Sequence, residues 1–158
     1  MNMYDKILLP LDGSQYAQCS LEYVKKLALG CNTREVVVLR VVEPLATEET
    51  QLLVEINESV ISELEARKKQ VASDYVSYIA KRLKEEGLPA RSEVLLGKAE
   101  EEILNYAEKN NFNLIVMSTH GKSGVSKWAF GNVAGKVAHY SKVPVMFALT
   151  SECRVAQG

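Results

Sequence analysis

Two turn-rich segments carry the residue types that could do chemistry. The longer runs Ser118-Thr119-His120-Gly121-Lys122-Ser123-Gly124, continues through Val125–Phe130 and ends on Gly131-Asn132. Glycine lets a backbone approach an anion closely, and a helix opening behind it turns its first N–H groups toward that anion. Gly131-Asn132 stands at the start of an apolar-periodic stretch, with Lys122 and Lys127 available for added positive charge. This makes the segment a candidate phosphate site. The shorter segment, Pro10-Leu11-Asp12-Gly13-Ser14, brings a carboxylate, Asp12, that can accept from a sugar hydroxyl. Two stronger phosphate signatures are missing. Gly121-Lys122-Ser123 matches the end of a G-x-x-x-x-G-K-[ST] loop, but Val116 stands where its first glycine is required. The dinucleotide pattern G-x-G-x-x-G occurs nowhere, which argues against a nicotinamide or flavin dehydrogenase.

Catalytic constellations are not legible. His120 and His139 are the only histidines, and they form no i, i+4 ligand pair. His120 adjoins the phosphate segment as a loop residue, and His139 falls near the end of the last helical stretch, where a cation suits the helix dipole. Neither Ser14 nor Ser123 sits in a G-x-S-x-G elbow. Most carboxylates, such as Glu63, Glu65 and Glu100–Glu102, read as solvated helix faces. No nucleophile is committed, so hydrolysis of a bound phosphate compound would be slow at most. Cys19, Cys31 and Cys153 make no C-x-x-C pair, and the expectation is free thiols in a reducing cytoplasm.

The elements that must position these segments alternate along the chain. Lys6–Leu11, Glu35–Val42, Ala90–Leu96, Leu114–Ser118 and Val143–Leu149 are short apolar or alternating runs and read as strands. Gln15–Leu29 reads as a helix capped by Ser14 and stopped by Gly30. Glu48–Glu86 is a long helical pattern ended by Gly87-Leu88-Pro89, as one bent helix or as two. Ala99–Asn110 and Asn132–Tyr140 are two further helices. Strands separated by helices need crossover connections, so the expected fold is α/β. It is one doubly wound, five-stranded parallel sheet with helices on both faces. In such sheets ligands bind beyond the carboxyl ends of the strands, where strand order reverses. Both turn-rich segments follow strands.

Composition narrows the function. The chain has 158 residues, 19 basic against 20 acidic, for a net charge of −1, so nucleic acid has no bulk electrostatic attraction to it. No apolar stretch approaches the roughly 20 residues of a membrane span. The expectation is a single soluble cytoplasmic domain with a tail.

Taken together and in order, these segments resemble the universal stress protein family, single-domain and nucleotide-binding type. The resemblance rests on Tyr4–Ser14, Ile115–Gly124, Gly131-Asn132-Val133-Ala134 and Val143-Pro144-Val145, and covers roughly 3–149. It implies a Rossmann-like fold akin to the adenine nucleotide alpha hydrolases, with a domain over 1–150 and a tail over 151–158. Nucleotide-binding members carry G-x2-G-x9-G-[ST]. Here Ser118 takes the first glycine, Gly121 and Gly131 match, and Asn132 takes the hydroxyl position. Ser118 adds a Cβ near the nucleoside, and Asn132 offers an amide donor and a good N-cap.

The resemblance further implies that Pro10, Leu11 and Asp12 meet the nucleoside and that Val41 and Met117 line its pocket. The phosphates would lie on the backbone N–H groups of Gly121, Gly131, Asn132 and Val133, with Ser118 near the nucleoside and His120 and Lys122 as further binding residues. The ligand would be an adenine nucleotide, ATP above others, with or without Mg2+. The family pairs its last strand across a two-fold axis, so a homodimer through Val143–Leu149 is expected, serving a stress or signalling role through a downstream protein partner. The alternative is an interaction protein on the same scaffold whose phosphate loop has degenerated, as Ser118 and Asn132 would allow. The acidic segment Glu43–Glu58 could be a flap or a partner surface.

Overall fold

Short apolar runs bounded by turn residues become strands, and stretches of helical periodicity become helices, in strict alternation. The computed structural model describes residues 2–45, 58–119 and 130–149. In chain order these form β1 (Lys6–Pro10), α1 (Cys19–Gly30), β2 (Glu35–Val42), α2 (Glu58–Glu85), β3 (Ala90–Leu96), α3 (Ala99–Lys109), β4 (Leu114–Ser118), α4 (Asn132–Tyr140) and β5 (Val145–Ala148). Strand order is β3-β2-β1-β4-β5 and every pairing is parallel. The doubly wound five-stranded sheet is therefore what the sequence builds.

The central strands are apolar on both sides because both sides are covered. Side chains alternate across a strand. Ile7, Leu9, Val36 and Val38 accordingly pack with Val24 of α1 and Val76, Ile79 and Leu83 of α2. Leu8, Val37, Leu39 and Ile115 face the other way, onto Ile103 and Ala107 of α3 and Ala134 and Val137 of α4. The sheet thus separates an α1/α2 layer from an α3/α4 layer.

Several boundaries differ from the sequence reading, most by a single residue. Helix α1 starts at Cys19 rather than Gln15. The intervening residues form tight turns, with Cys19 N–H on Tyr16 O at 3.1 Å and Leu21 N–H on Gln18 O at 3.0 Å. Ser14 caps this turn, its Oγ accepting from Ala17 N–H at 3.1 Å. The described part of the long helical pattern is one helix of 28 residues, so the charged patch Arg67–Lys69 does not break it. It ends where Gly87 takes φ +88° and Leu88 N–H returns to Leu83 O at 3.0 Å, a left-handed cap that favours glycine. Strand β5 begins at Val145, not Val143. Pro144 can accept, from Ile115 N–H at 2.9 Å, but has no N–H to give, so the ladder starts after it. The cysteine expectation also changes: Cys19 is disulfide-bonded and Cys31 is a free thiol. Sequence spacing among three cysteines does not report their separation in the fold.

The amino ends of the strands are tied by charge. Glu35 receives Arg91 Nε at 2.6 Å and lies 3.2 Å from Lys6 Nζ. Arg91 also donates to Tyr106 Oη at 3.2 Å. Burial alone would raise the Glu35 pKa. Arg91 and Lys6 outweigh that and hold it below its ordinary value. A depressed carboxyl pKa stabilises the fold above the unfolded-state value, and that contribution disappears as pH falls through the folded-state value. Replacing Glu35→Gln should cost about 1 kcal/mol near neutral pH. Urea unfolding should show the difference from the native chain shrinking as pH falls through the lowered folded-state value of Glu35, where Glu35 is itself protonated.

Candidate functional site

At the carboxyl end of β1 the chain stays beside β2 for one more residue, Leu11 N–H donating to Leu39 O at 2.8 Å. It then turns. Asp12 Oδ1 accepts from Ser14 N–H at 2.8 Å, the side chain closing the turn over a left-handed Gly13 at φ +82°. Arg40 lies against this turn. Its guanidinium is 3.7 Å from the point a Cβ on Gly13 would occupy, and Nη1 reaches Leu11 O at 3.5 Å. Burial lowers the Arg40 pKa, and the nearby Asp12 charge works against that. Arg40 remains a cation.

The carboxyl end of β4 supplies the facing wall. Met117, Ser118 and Thr119 are buried. Thr119 N–H donates to Ala148 O at 3.2 Å, and its carbonyl accepts from Gly131 N–H at 2.8 Å. These bonds dock the start of α4 onto the end of β4. Gly131, not Asn132, occupies the cap position, and Asn132 is the first helical residue. The N-cap expected of Asn132 is therefore filled by a residue with no side chain to offer. Among the described residues no side chain caps α4, and its first turn holds no acid. The N–H groups of Asn132, Val133 and Ala134 are first-turn donors that no helical carbonyl can reach. They sit at the positive end of the helix dipole.

Between these walls is a cavity of about 280 Å3. Pro10, Leu11, Asp12, Val41, Met117, Ser118, Gly131, Asn132 and Val133 all line it, so the structure brings these sequence-derived candidates together. His120, Gly121 and Lys122, with Lys127 beside them, lie outside the described residues. The sequence reading missed Arg40 and Ile103, which also line the cavity. Arg40 had left a signal, as the one charge inside the apolar run Val36–Val42. Ile103 left none, since a pocket-lining isoleucine and a core isoleucine read alike on a helix.

The place follows from the topology. Chain order along the sheet reverses between β1 and β4, and the crevice at such a switch point is the ligand position of doubly wound folds. Its chemistry is that of a binder. Val41, Ile103 and Met117 offer apolar surface, Asp12 is the only acid among the described lining residues, and α4 offers N–H donors. Among the described residues no three His, Cys, Asp or Glu side chains group as metal ligands, and no helix is long and apolar enough to cross a membrane.

Known proteins share this fold. The model of the universal stress protein family matches residues 3–148. Universal stress protein MJ0577 of Methanocaldococcus jannaschii is 28% identical over 153 residues, covering 91% of this chain and 94% of its own. Its solved structure superposes with a TM-score of 0.76 over 93% of this chain and 96% of that one. UspA of Lactobacillus plantarum, 22% identical, shares the fold with a TM-score of 0.80 over 92% of this chain and 97% of its own. A universal stress protein solved in complex with cAMP is 17% identical, with a TM-score of 0.60 over 93% and 98% of the two chains. The Archaeoglobus fulgidus protein solved in complex with dAMP is 18% identical, with a TM-score of 0.58 over 92% and 98%. With its fold, switch-point cavity and whole-length match taken together, the chain belongs to the universal stress protein family.

Proposed function

We propose that the protein binds an adenine nucleotide, ATP above others, in the switch-point cavity and works as a dimeric stress-response or signalling module. The observation that carries this is the open first turn of α4. Three backbone donors at a positive helix end, capped by glycine, face a cavity whose other walls are mostly apolar, with Asp12, Arg40 and Ser118 as their polar groups. A base would pack between Val41 and Met117, and a ribose hydroxyl would donate to Asp12. The phosphates would lie along Gly131, Asn132 and Val133, with His120, Gly121 and Lys122 the further candidates. Ser118, in place of the family's glycine, lines the same cavity without filling it. Relatives crystallised with cAMP and dAMP support an adenylate in this fold. Mg2+ would be held by the phosphates.

The dimer is proposed on β5. Among the described residues it pairs only with β4, leaving its other edge open. Phe147 on this strand stacks edge-on against the exposed Phe130 at 4.8 Å between centroids, and Leu149 just beyond is also exposed. An open edge with apolar neighbours is suited to pairing with its own copy. Titration calorimetry with Mg-ATP, run beside sedimentation at the same concentration, tests both parts. The expected result is saturable binding by a species of twice the chain mass. No heat at millimolar ATP would instead favour an interaction protein with a degenerate phosphate loop. A monomer would remove the dimer.

A further inference from the structure

On the opposite face of the sheet a second cavity, of about 850 Å3, opens at the same strand ends. The two cavities meet at Asp12, Arg40, Val41 and Ala99. Alternation along β2 places Val41 with the α3/α4 layer and Arg40 with Val36 and Val38, toward α1 and α2. The second cavity is therefore walled by α2. Leu64, Val71, Ala72 and the Tyr75 ring form an apolar side, with Arg67 and Lys68 on the same helix and Arg40 on β2. Leu64 and Val71 are exposed, Val71 at 69%, although they stand on the cavity side of a long helix.

Charge and hydrogen-bond capacity decide what fits. The described lining holds three cations, Arg40, Arg67 and Lys68, and two acids, Asp12 and Glu43. Arg67 already pairs with Glu63 at 3.6 Å. Arg40 is half-buried, and its one hydrogen bond, at 3.5 Å to Leu11 O, is long; no carboxylate lies within 4 Å of it among the described residues. A guanidinium has five donors in a planar fork that fits a two-oxygen anion. Behind it, Tyr75 Oη is buried without a hydrogen-bond partner, with the Gln18 side chain near. Beside Asp12 and Glu43 a monoanion meets less repulsion than a dianion. The apolar side needs an apolar body on that anion, and the volume lies within the roughly 300–1,000 Å3 of ordinary ligand sites.

We propose that this second cavity binds an amphipathic monocarboxylate, its carboxylate forked on Arg40 and its aliphatic body laid along Leu64, Val71 and Tyr75. The site does not depend on nucleotide binding, and a failure to bind ATP leaves it standing.

The test is titration of the full chain with decanoate, with decanol as the neutral body and inorganic phosphate as the bodiless anion, read by calorimetry and by amide chemical shifts. Decanoate should bind in the sub-millimolar range, with shifts on β2 and along α2 from Leu64 to Tyr75. Decanol should bind at least tenfold more weakly, and phosphate not at all at this site. Arg40→Gln should weaken decanoate by roughly tenfold or more, the usual effect of losing a charge-assisted contact. Val71→Glu, at an exposed position that tolerates a polar side chain, should weaken it similarly by placing a carboxylate on the wall. It keeps the test decisive if Arg40→Gln folds poorly. No binding of decanoate by the folded chain overturns the proposal. So does equal binding of decanol, unchanged affinity in both variants, or shifts confined to Met117 and α4, which would put decanoate in the first cavity.

Discussion

Replacing Gly131→Asp should abolish ATP binding while leaving the protein as stable as before, or slightly more so. The cap residue of α4 is now a glycine with no capping side chain, and no acid stands in the first turn. An aspartate there would accept from the Val133 or Ala134 N–H and complement the helix dipole. Such a cap is typically worth about 1 kcal/mol to the helix. The same carboxylate would occupy the donors proposed for phosphate and set one negative charge against another. Losing two charge-assisted hydrogen bonds at about 1.5–3 kcal/mol each weakens binding roughly 100-fold or more. Calorimetry with Mg-ATP and a thermal melt on the same sample read the two effects separately. Unchanged ATP affinity would place the phosphates elsewhere. A falling melting temperature would mean that the cap geometry at Gly131 cannot take a side chain, and a binding loss would then say nothing of phosphate.

The second large effect is expected at Leu8. It lies in β1, between β2 and β4, and is fully buried in the α3/α4 layer with Leu39, Ile103 and Ile115. Leu8→Ala removes methyl groups from a site held by sheet hydrogen bonds on both edges, so the backbone has little freedom to close the gap. The expected cost is about 3–5 kcal/mol, the upper part of the range for such changes. Against a total of about 5–15 kcal/mol this is a large share. Leu29→Ala, at a residue 63% exposed near the end of α1, should cost under about 0.5 kcal/mol. Urea unfolding checks both. Saturating ATP should recover part of the Leu8→Ala loss, because a ligand that binds only the folded chain stabilises it by mass action.

Much of the fold could be read from the sequence because local and global signals agree in it. Glu35–Val42, Ala90–Leu96 and Leu114–Ser118 begin and end where the pattern places them, each bounded by a turn residue or a change in hydropathy. Boundaries failed where tertiary or backbone constraints decided. The turn at Gln15–Gln18 has helical composition but tight-turn bonding, and Pro144 shortened β5 from its amino end. The candidate cavity was legible through its turns, since Gly13, Asp12 and Gly131 mark themselves. It was less legible through its walls. Val41 and Met117 came only through the family resemblance, because an apolar residue at a strand end reads as core. Arg40 shows the opposite case. A charge inside a buried strand was visible, and only the third dimension gave it two cavities to face.

Helix α2 is longer than the sheet it covers. Its 28 residues span about 42 Å, whereas the seven residues of β3 span about 23 Å. Its first buried residue is Ala72, so the turns from Glu58 to Val71 rest on little of the core. A helical stretch of that length is marginal in water when nothing covers it. The amino-terminal half of α2 should therefore open and re-form without the sheet taking part, its amides exchanging faster than those of β1 and β4. One continuous helix would then hold two cooperative units, joined near Ala72.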